Sequence, residues 1–298
     1  MTSNAAAGGS APRSDAALRR GRMFRWRRMD PVVVISAVVV FGAMVAAVAP
    51  QALAPYDPER ANFAIKLLPP SRAHPRGTDE FGRDILRRIL YGAQVSVKVG
   101  VIAVVIAAGS GIVLGVNAGY FGGLLDSASM RIVDMILAFP AILFALVLIT
   151  VLRPSIETLM LAMGIVYLPR FARLARASTM AVKEEAYLEA ARAIGASDAL
   201  ILRRHILPNI VGPLLVQGTI TFPQAILAEA ALSFLGLGVQ PPTPAWGAML
   251  SSGRRFMELA PWVAIFPGLA IMVITLAVNF LGDALQDWAN PRLRGRGP

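Results

Sequence analysis

Uncharged apolar stretches about as long as a bilayer is thick alternate along the chain with polar, arginine-bearing segments. A membrane-spanning helix needs roughly 20 mainly apolar residues. Val32 to Ala49, Val99 to Leu125, Met135 to Leu152, Ile210 to Ala228 and Leu259 to Gly282 meet that need, the second running into glycines near its end. A sixth stretch is weaker: Thr158 to Pro169 is uncharged but short, and extending it to Ala177 brings in Arg170, Arg173 and Arg176. Arginines at every third position cluster toward one side of a helix and can snorkel to the interface. Counting this stretch as a span, the pattern predicts an all-α polytopic membrane protein with six transmembrane helices.

Composition agrees. Of 298 residues, 56% are hydrophobic and only 16% charged, with a mean hydropathy of +0.60. Disorder is excluded for most of the chain, and a water-soluble globule does not fit apolar blocks of this length. The net charge of +11 is read through membrane orientation rather than nucleic-acid binding, because the bases lie mainly between the apolar blocks. Seven of them, from Arg13 to Arg28, precede the first span, and another seven fall between Arg170 and Arg204. Both segments, and both termini, are therefore expected on the cytoplasmic side of the membrane. Pro50 to Lys98 carries eight bases yet falls outside, and long loops obey the charge rule less strictly. Ala47-Val48-Ala49 resembles a cleavage site, but its apolar run exceeds the usual signal sequence and Pro50 follows directly, so the stretch is read as a span.

Several chemistries are missing. No lysine follows a glycine, so the Gly-Lys-Ser/Thr of a phosphate-binding loop is absent. The two histidines, His74 and His205, are far apart, and neither the His-x-x-x-His of a zinc protease nor a Gly-x-Ser-x-Gly elbow occurs. With no cysteine there is no thiolate metal site, disulfide or Cys nucleophile. No metal site is expected, and no catalytic constellation stands out. An intramembrane enzyme would need paired catalytic groups at membrane depth, and an ion-driven secondary transporter would show internal repeats and mid-span carboxylates.

The most informative segment is Glu184 to Asn209. Tyr187, Ala190, Ala191 and Ile194 fall on one helical face, with Glu184, Glu185, Glu189 and Arg192 over much of the rest. Gly195 is expected to stop this helix in a left-handed conformation, Ser197 to cap a second short helix, and Pro208 to help terminate it. The product is a helix-turn-helix with an alanine-rich face. On the residues alone, that face suits either close approach of another backbone or rest on lipid.

Glu189-Ala190-Ala191, then Gly195, then Leu207-Pro208 resembles the EAA motif of ABC-importer permeases. The family pattern has isoleucine three residues before the proline, where this chain has His205. Gly77 to Asp84 (GTDEFGRD), Ala118 to Gly123 (AGYFGG), Leu137 to Pro140 (LAFP) and Glu229 to Gly238 (EAALSFLGLG) are similar to segments of the C-type permeases of the dipeptide/oligopeptide/nickel branch. The likeness runs from Pro31 to Pro291.

It implies the type I importer permease fold. It further implies a non-catalytic subunit that works with a homologous B-type permease, two ABC ATPase subunits and an extracytoplasmic binding protein. ATP and magnesium would bind those ATPases and no cofactor would bind this chain. Coupling to the ATPases would run through Glu185, Tyr187, Glu189, Ala190, Ala191, Gly195, Leu207 and Pro208. Di- or oligopeptides are the expected cargo, with nickel complexes or glutathione as alternatives. The implied division is a disordered basic tail (1–30), a first span with an extracytoplasmic segment (31–92), a transmembrane domain of five helices (93–290) and a short cytoplasmic tail (291–298).

Other features are read from the residues themselves. Gly111, Gly115, Gly119 and Gly123 repeat every fourth position, the pattern of close helix contact in membranes. Gln217, Gln224 and Glu229 lie on the fifth span, which Pro223 is expected to bend, and are candidates for the translocation path; Glu229 equally suits a helix-end or interhelical bond. Asp134 and Asp283 read as boundary charges. Arg83 to Gln94 reads as a basic amphipathic helix at the outer interface, and the Gly- and Pro-rich loop from Ser233 to Pro261 carries Trp246, which reads as an interfacial anchor or a contact for the binding protein.

Overall fold

A computed structural model describes residues 30–54 and 57–289. The N-terminal bases from Arg13 to Arg28 and the 291–298 tail lie outside the described residues. Helices account for about three quarters of the described residues: α1 (Pro31–Val48), α2 (Pro50–Leu53), α3 (Ile85–Phe121), α4 (Gly123–Leu137), α5 (Ala141–Leu152), α6 (Ile156–Lys183), α7 (Ala186–Ala193), α8 (Asp198–Ile201), α9 (Leu207–Phe234), α10 (Trp246–Arg254) and α11 (Trp262–Ala289). Among the described residues there is no strand, only one isolated bridge between Thr78 and Asp84. Five helical runs are long and apolar enough to cross a membrane, and α4 with α5 makes a sixth if that bent pair is one span.

The weak stretch is a full helix. α6 has 28 residues, and its apolar window is the most buried of all the spans. Its central partner is α3. A Cβ built on Gly111, Gly115 or Gly119 would lie 2.7, 2.2 and 2.8 Å from the carbonyl oxygens of Leu168, Ala172 and Arg176. The matched steps of four show that α3 and α6 run parallel in register. Only glycine lets the backbones come this close. Gly123 does not continue the ladder: it opens α4 with φ +59° and nothing within 4 Å of an added Cβ.

Two other spans differ from the sequence reading. The Arg83–Gln94 stretch is not a separate interfacial helix. It forms the first turns of α3, which Asp84 caps by accepting from the backbone N–H of Arg87 at 3.0 Å. Its charge is satisfied internally, since buried Arg88 reaches Asp79 at 3.5 Å and the Pro58 carbonyl at 3.3 Å. The expected third span is broken: Ala138, Phe139 and Pro140 separate α4 from α5 at a bend of 93°. Proline lacks the N–H that would continue the ladder and pushes the preceding residue away from helical geometry. Leu124 and Leu125, expected in the second span, belong to α4. The fifth span runs unbroken through Pro213 and Pro223.

The Ser233–Pro261 loop folds back as α10. Trp246 is 3% exposed, packs against Gly92 and donates its indole N–H to the Ile89 carbonyl at 2.9 Å. It is a core residue rather than an interfacial anchor, because the bare backbone of Gly92 leaves room for its ring.

Candidate functional site

The Glu184–Asn209 segment builds a helix-turn-helix at one end of the bundle. α6 ends at Lys183, Glu185 occupies the cap position of α7, and α7 runs to Ala193. The turn closes as expected: Gly195 has φ +86°. The Ala196 N–H donates to the Ala191 carbonyl at 3.0 Å and the Gly195 N–H to the Arg192 carbonyl at 2.9 Å. This pair of bonds satisfies helix-end carbonyls and requires a left-handed residue between them. Ser197 then caps α8, its hydroxyl accepting from the Leu200 N–H at 3.4 Å.

Pro208 does not terminate this second helix. α8 passes into α9 through a wider π turn, Leu202–Ile206, in which the Leu207 N–H reaches back to the Leu202 carbonyl. A one-residue expansion of the ladder absorbs the donor that proline lacks. The Asn209 side chain donates to the His205 carbonyl at 2.6 Å, covering an acceptor near the discontinuity.

One side of the segment is anchored. Leu188, Ile201 and Ile206 are fully buried in the main apolar core, and Leu207 packs partly against it. Each such side chain contributes about 1.5–3 kcal/mol of burial. Leu188 was not singled out by the helical pattern, although it sits one residue off the alanine face. The opposite side is open. Tyr187, Glu189, Ala190, Gly195 and Pro208 are exposed, Ala191 is half-buried, and Ile194 is 86% exposed. Tyr187 and His205 face one another with ring centroids 5.9 Å apart, and Asn209 donates to the Tyr187 hydroxyl at 3.2 Å. His205 therefore takes a place beside Tyr187, while the neighbouring Ile206 fills the core.

Polar contacts tie this segment to the end of α3. The Tyr120 hydroxyl donates to Asp198 Oδ1 at 2.6 Å, the Lys183 ammonium donates to the Tyr120 carbonyl at 2.7 Å, and the Arg192 guanidinium lies over the Tyr120 ring at 5.6 Å. Sequence reasoning met Tyr120 only as part of the AGYFGG stretch; its place at the end of the glycine ladder was the available signal.

The three polar residues of α9 divide. Glu229 is fully buried and accepts from Ser96 at 3.2 Å and from Ser233 at 2.7 Å, joining α9 to α3 inside the subunit. Ser96 also meets the Trp246 backbone N–H at 3.4 Å, so α10 rests on the same cluster. Gln217 is half-buried and bonds Thr221 at 3.0 Å. Gln224 accepts from Arg170 on α6. Asp134, read as a boundary charge, pairs with Arg173 at 2.6 Å, and Asp126 pairs with Arg176 at 2.5 Å.

Residues 111–295 match the family model described as the binding-protein-dependent transport system inner membrane component. The chain is 45% identical over 273 residues to the glutathione transport system permease protein of Escherichia coli, covering 91% of this chain and 90% of the relative. It is 40% identical over 271 residues to the dipeptide transport system permease protein of Alkalihalophilus pseudofirmus, covering 91% and 89%. A putative peptide transport system permease protein of Brucella abortus is 40% identical, with 96% and 95% covered. Among solved structures, inward-facing methionine ABC transporter chains superpose with a TM-score of 0.53 at 19% identity, over 69% of this chain and 96% of theirs. That likeness establishes the type I importer permease fold. On these grounds the chain is a multi-pass membrane protein belonging to the binding-protein-dependent transport system inner membrane component family.

Proposed function

We propose that this chain is a non-catalytic permease subunit of an ATP-driven importer of short peptides, and that the α7–α8 hairpin is where it meets the ATPases. One observation carries the coupling assignment. A helix-turn-helix is pinned to the core by Leu188, Ile201 and Ile206 while Tyr187, Ala190 and Ile194 stand exposed on its other side. An exposed apolar face on a rigidly held hairpin suits a partner cleft. Motion of that partner would reach the spans through α8 and α9, which form one helical run, and through Tyr120 on α3.

In this reading the hairpin side is cytoplasmic, as the bases from Arg170 to Arg204 favour, and both termini lie on that side. A homologous B-type permease completes the path between the two subunits. Two separate ATPases bind ATP and magnesium, and an extracytoplasmic binding protein delivers cargo. ATP binding biases the spans between outward and inward access only if it favours one conformer over the other. Peptide cargo is supported by the names of the relatives. The 45% identical glutathione permease motivates a second reading, glutathione, itself a tripeptide.

The test is a mild-detergent pull-down of the tagged chain from its native membrane, with Gly195→Val and Gly195→Asn alongside. There is open space around Gly195, so the strain in the valine variant comes from φ alone. Asparagine tolerates the left-handed region. A sister permease and ATPases should accompany the parent chain and the asparagine variant, and the valine variant should lose the ATPases while staying in the membrane. Recovery of the chain alone in every case sinks the assignment.

A further inference from the structure

The three arginines of α6 have different partners. Arg173 and Arg176 are neutralised by Asp134 and Asp126 of α4. Arg170 has neutral partners instead: it donates to the side-chain oxygen of Gln224 and lies over the Tyr167 ring at 5.0 Å. Tyr167 is itself held, its hydroxyl donating to the Gln224 carbonyl at 3.0 Å. The guanidinium is thus fixed to α9 rather than free to snorkel.

Its depth follows from the helix register. Gly111 of α3 packs between Leu168 and Ala172, level with Arg170. At 1.5 Å per residue, Gly111 lies about 18 Å from Val99, where the uncharged part of α3 begins, and about 15 Å from Phe121, where the helix ends. Arg170 therefore sits near the middle of a hydrocarbon core about 30 Å thick. Its side chain is exposed on the subunit surface. Ionic groups at such depth face a bundle interior or a water-filled cavity and mark pathways. A guanidinium carries five donors in a planar fork that matches a carboxylate. Gln224 occupies part of that fork and leaves room for a second, bidentate acceptor. Gln217, seven residues from Gln224 and on the same face of α9, extends the polar stripe toward the hairpin.

We propose that Arg170, held at mid-span by Gln224, binds the carboxylate group of the cargo on the translocation path. The proposal rests on the peptide-import reading, since every unmodified peptide carries a terminal carboxylate. It adds a specificity-determining residue to that reading: the path itself selects for an anion. Gln224 acts as the positioning residue that sets the direction of the fork.

The chain contains no cysteine, so Arg170→Cys places a single reactive sulfur at this depth. The complete transporter carrying Arg170→Cys is reconstituted in vesicles with its binding protein. Uptake of trialanine is measured before and after treatment with aminoethyl or sulfonatoethyl methanethiosulfonate, and the adduct is located by peptide mass. Both reagents should reach position 170 during ATP turnover. Trialanine uptake should fall at least ten-fold in the variant, recover with the cationic adduct and stay low with the anionic one. The unsubstituted transporter should take up trialanine faster than trialanine amide, and Arg170→Cys should lose that preference. A sulfur inert to both reagents at rest and in turnover, as in a sealed contact with the sister permease or with lipid, overturns the proposal. So does undiminished uptake, recovery with both adducts, or recovery with neither. Failure of the peptide reading shows separately, as an unsubstituted complex that takes up no trialanine while its binding protein still stimulates ATP hydrolysis.

Discussion

The Tyr120 hydroxyl donates to Asp198 Oδ1 at 2.6 Å, joining the last turn of α3 to the first turn of α8. α3 is the span packed in parallel against α6, and α8 opens the run that continues as α9. The bond therefore links the hairpin to a second span besides the one it is continuous with. Hydrogen bonds to charged groups contribute about 1.5–3 kcal/mol. Tyr120→Phe should leave the assembled complex intact while lowering the amount of cargo moved per ATP hydrolysed several-fold. Simultaneous measurement of uptake and phosphate release in vesicles gives that ratio, and an unchanged ratio would remove Tyr120 from the coupling route.

The two faces of α7 should separate stability from docking. Leu188→Ala removes a fully buried side chain and should cost about 2–5 kcal/mol, read as a lower melting temperature in detergent. Ile194→Asp changes a residue that is 86% exposed and should leave the melting temperature within a degree or two. It should nevertheless weaken ATPase co-purification at least ten-fold. Equal melting losses for both variants would mean that Ile194 is structural.

Close approach of α3 and α6 should make Gly115 intolerant of any side chain. An added Cβ there would lie 2.2 Å from the Ala172 carbonyl oxygen and 2.9 Å from the Ala175 Cβ. Gly115→Val should abolish accumulation of folded chain in the membrane. Gly109→Ala, on the same helix with nothing within 4 Å, should accumulate normally. Quantitative immunoblotting with limited proteolysis distinguishes these outcomes.

Glu229 gives a test between a path residue and an internal tie. Glu229→Ala leaves Ser96 and Ser233 without their shared acceptor in a fully buried site. Each buried polar group left unsatisfied costs about 1–3 kcal/mol. The alanine variant should melt markedly earlier, while Glu229→Gln, which keeps a side-chain oxygen, should recover most of the loss. A change in the KM for cargo with no change in melting would instead put Glu229 on the path.

The helix-turn-helix was legible because its determinants are local. A left-handed residue at Gly195 and a hydroxyl cap at Ser197 act within a few residues of themselves, and both appear as expected. The glycine ladder was legible for the same reason up to Gly119, since a four-residue repeat marks one helical face. Gly123 fell outside the ladder because the helix had already ended at Gly122, where φ is +68°. The route of Pro208 was not legible: proline ordinarily ends a helix, and only a π turn supported by Asn209 lets the helix continue.

What the amino-acid sequence determines by itself is membrane residence, an all-helical fold, the places of most spans and the position of the exposed hairpin. These follow from local hydropathy and local backbone preference, which need no knowledge of neighbours. What only the tertiary structure decides is which polar groups face inward and which stay available. Arg88, Glu229 and Trp246 look like surface or pathway residues in one dimension, yet each is buried: Glu229 and Trp246 find their partners on α3, and Arg88 finds backbone carbonyls in loops distant in sequence. Arg170, Arg173 and Arg176 look alike in the sequence, and only the packing of α4 and α9 around α6 gives two of them carboxylates and the third an amide. Partner choice at long range depends on helix register, and register is set by how whole faces pack.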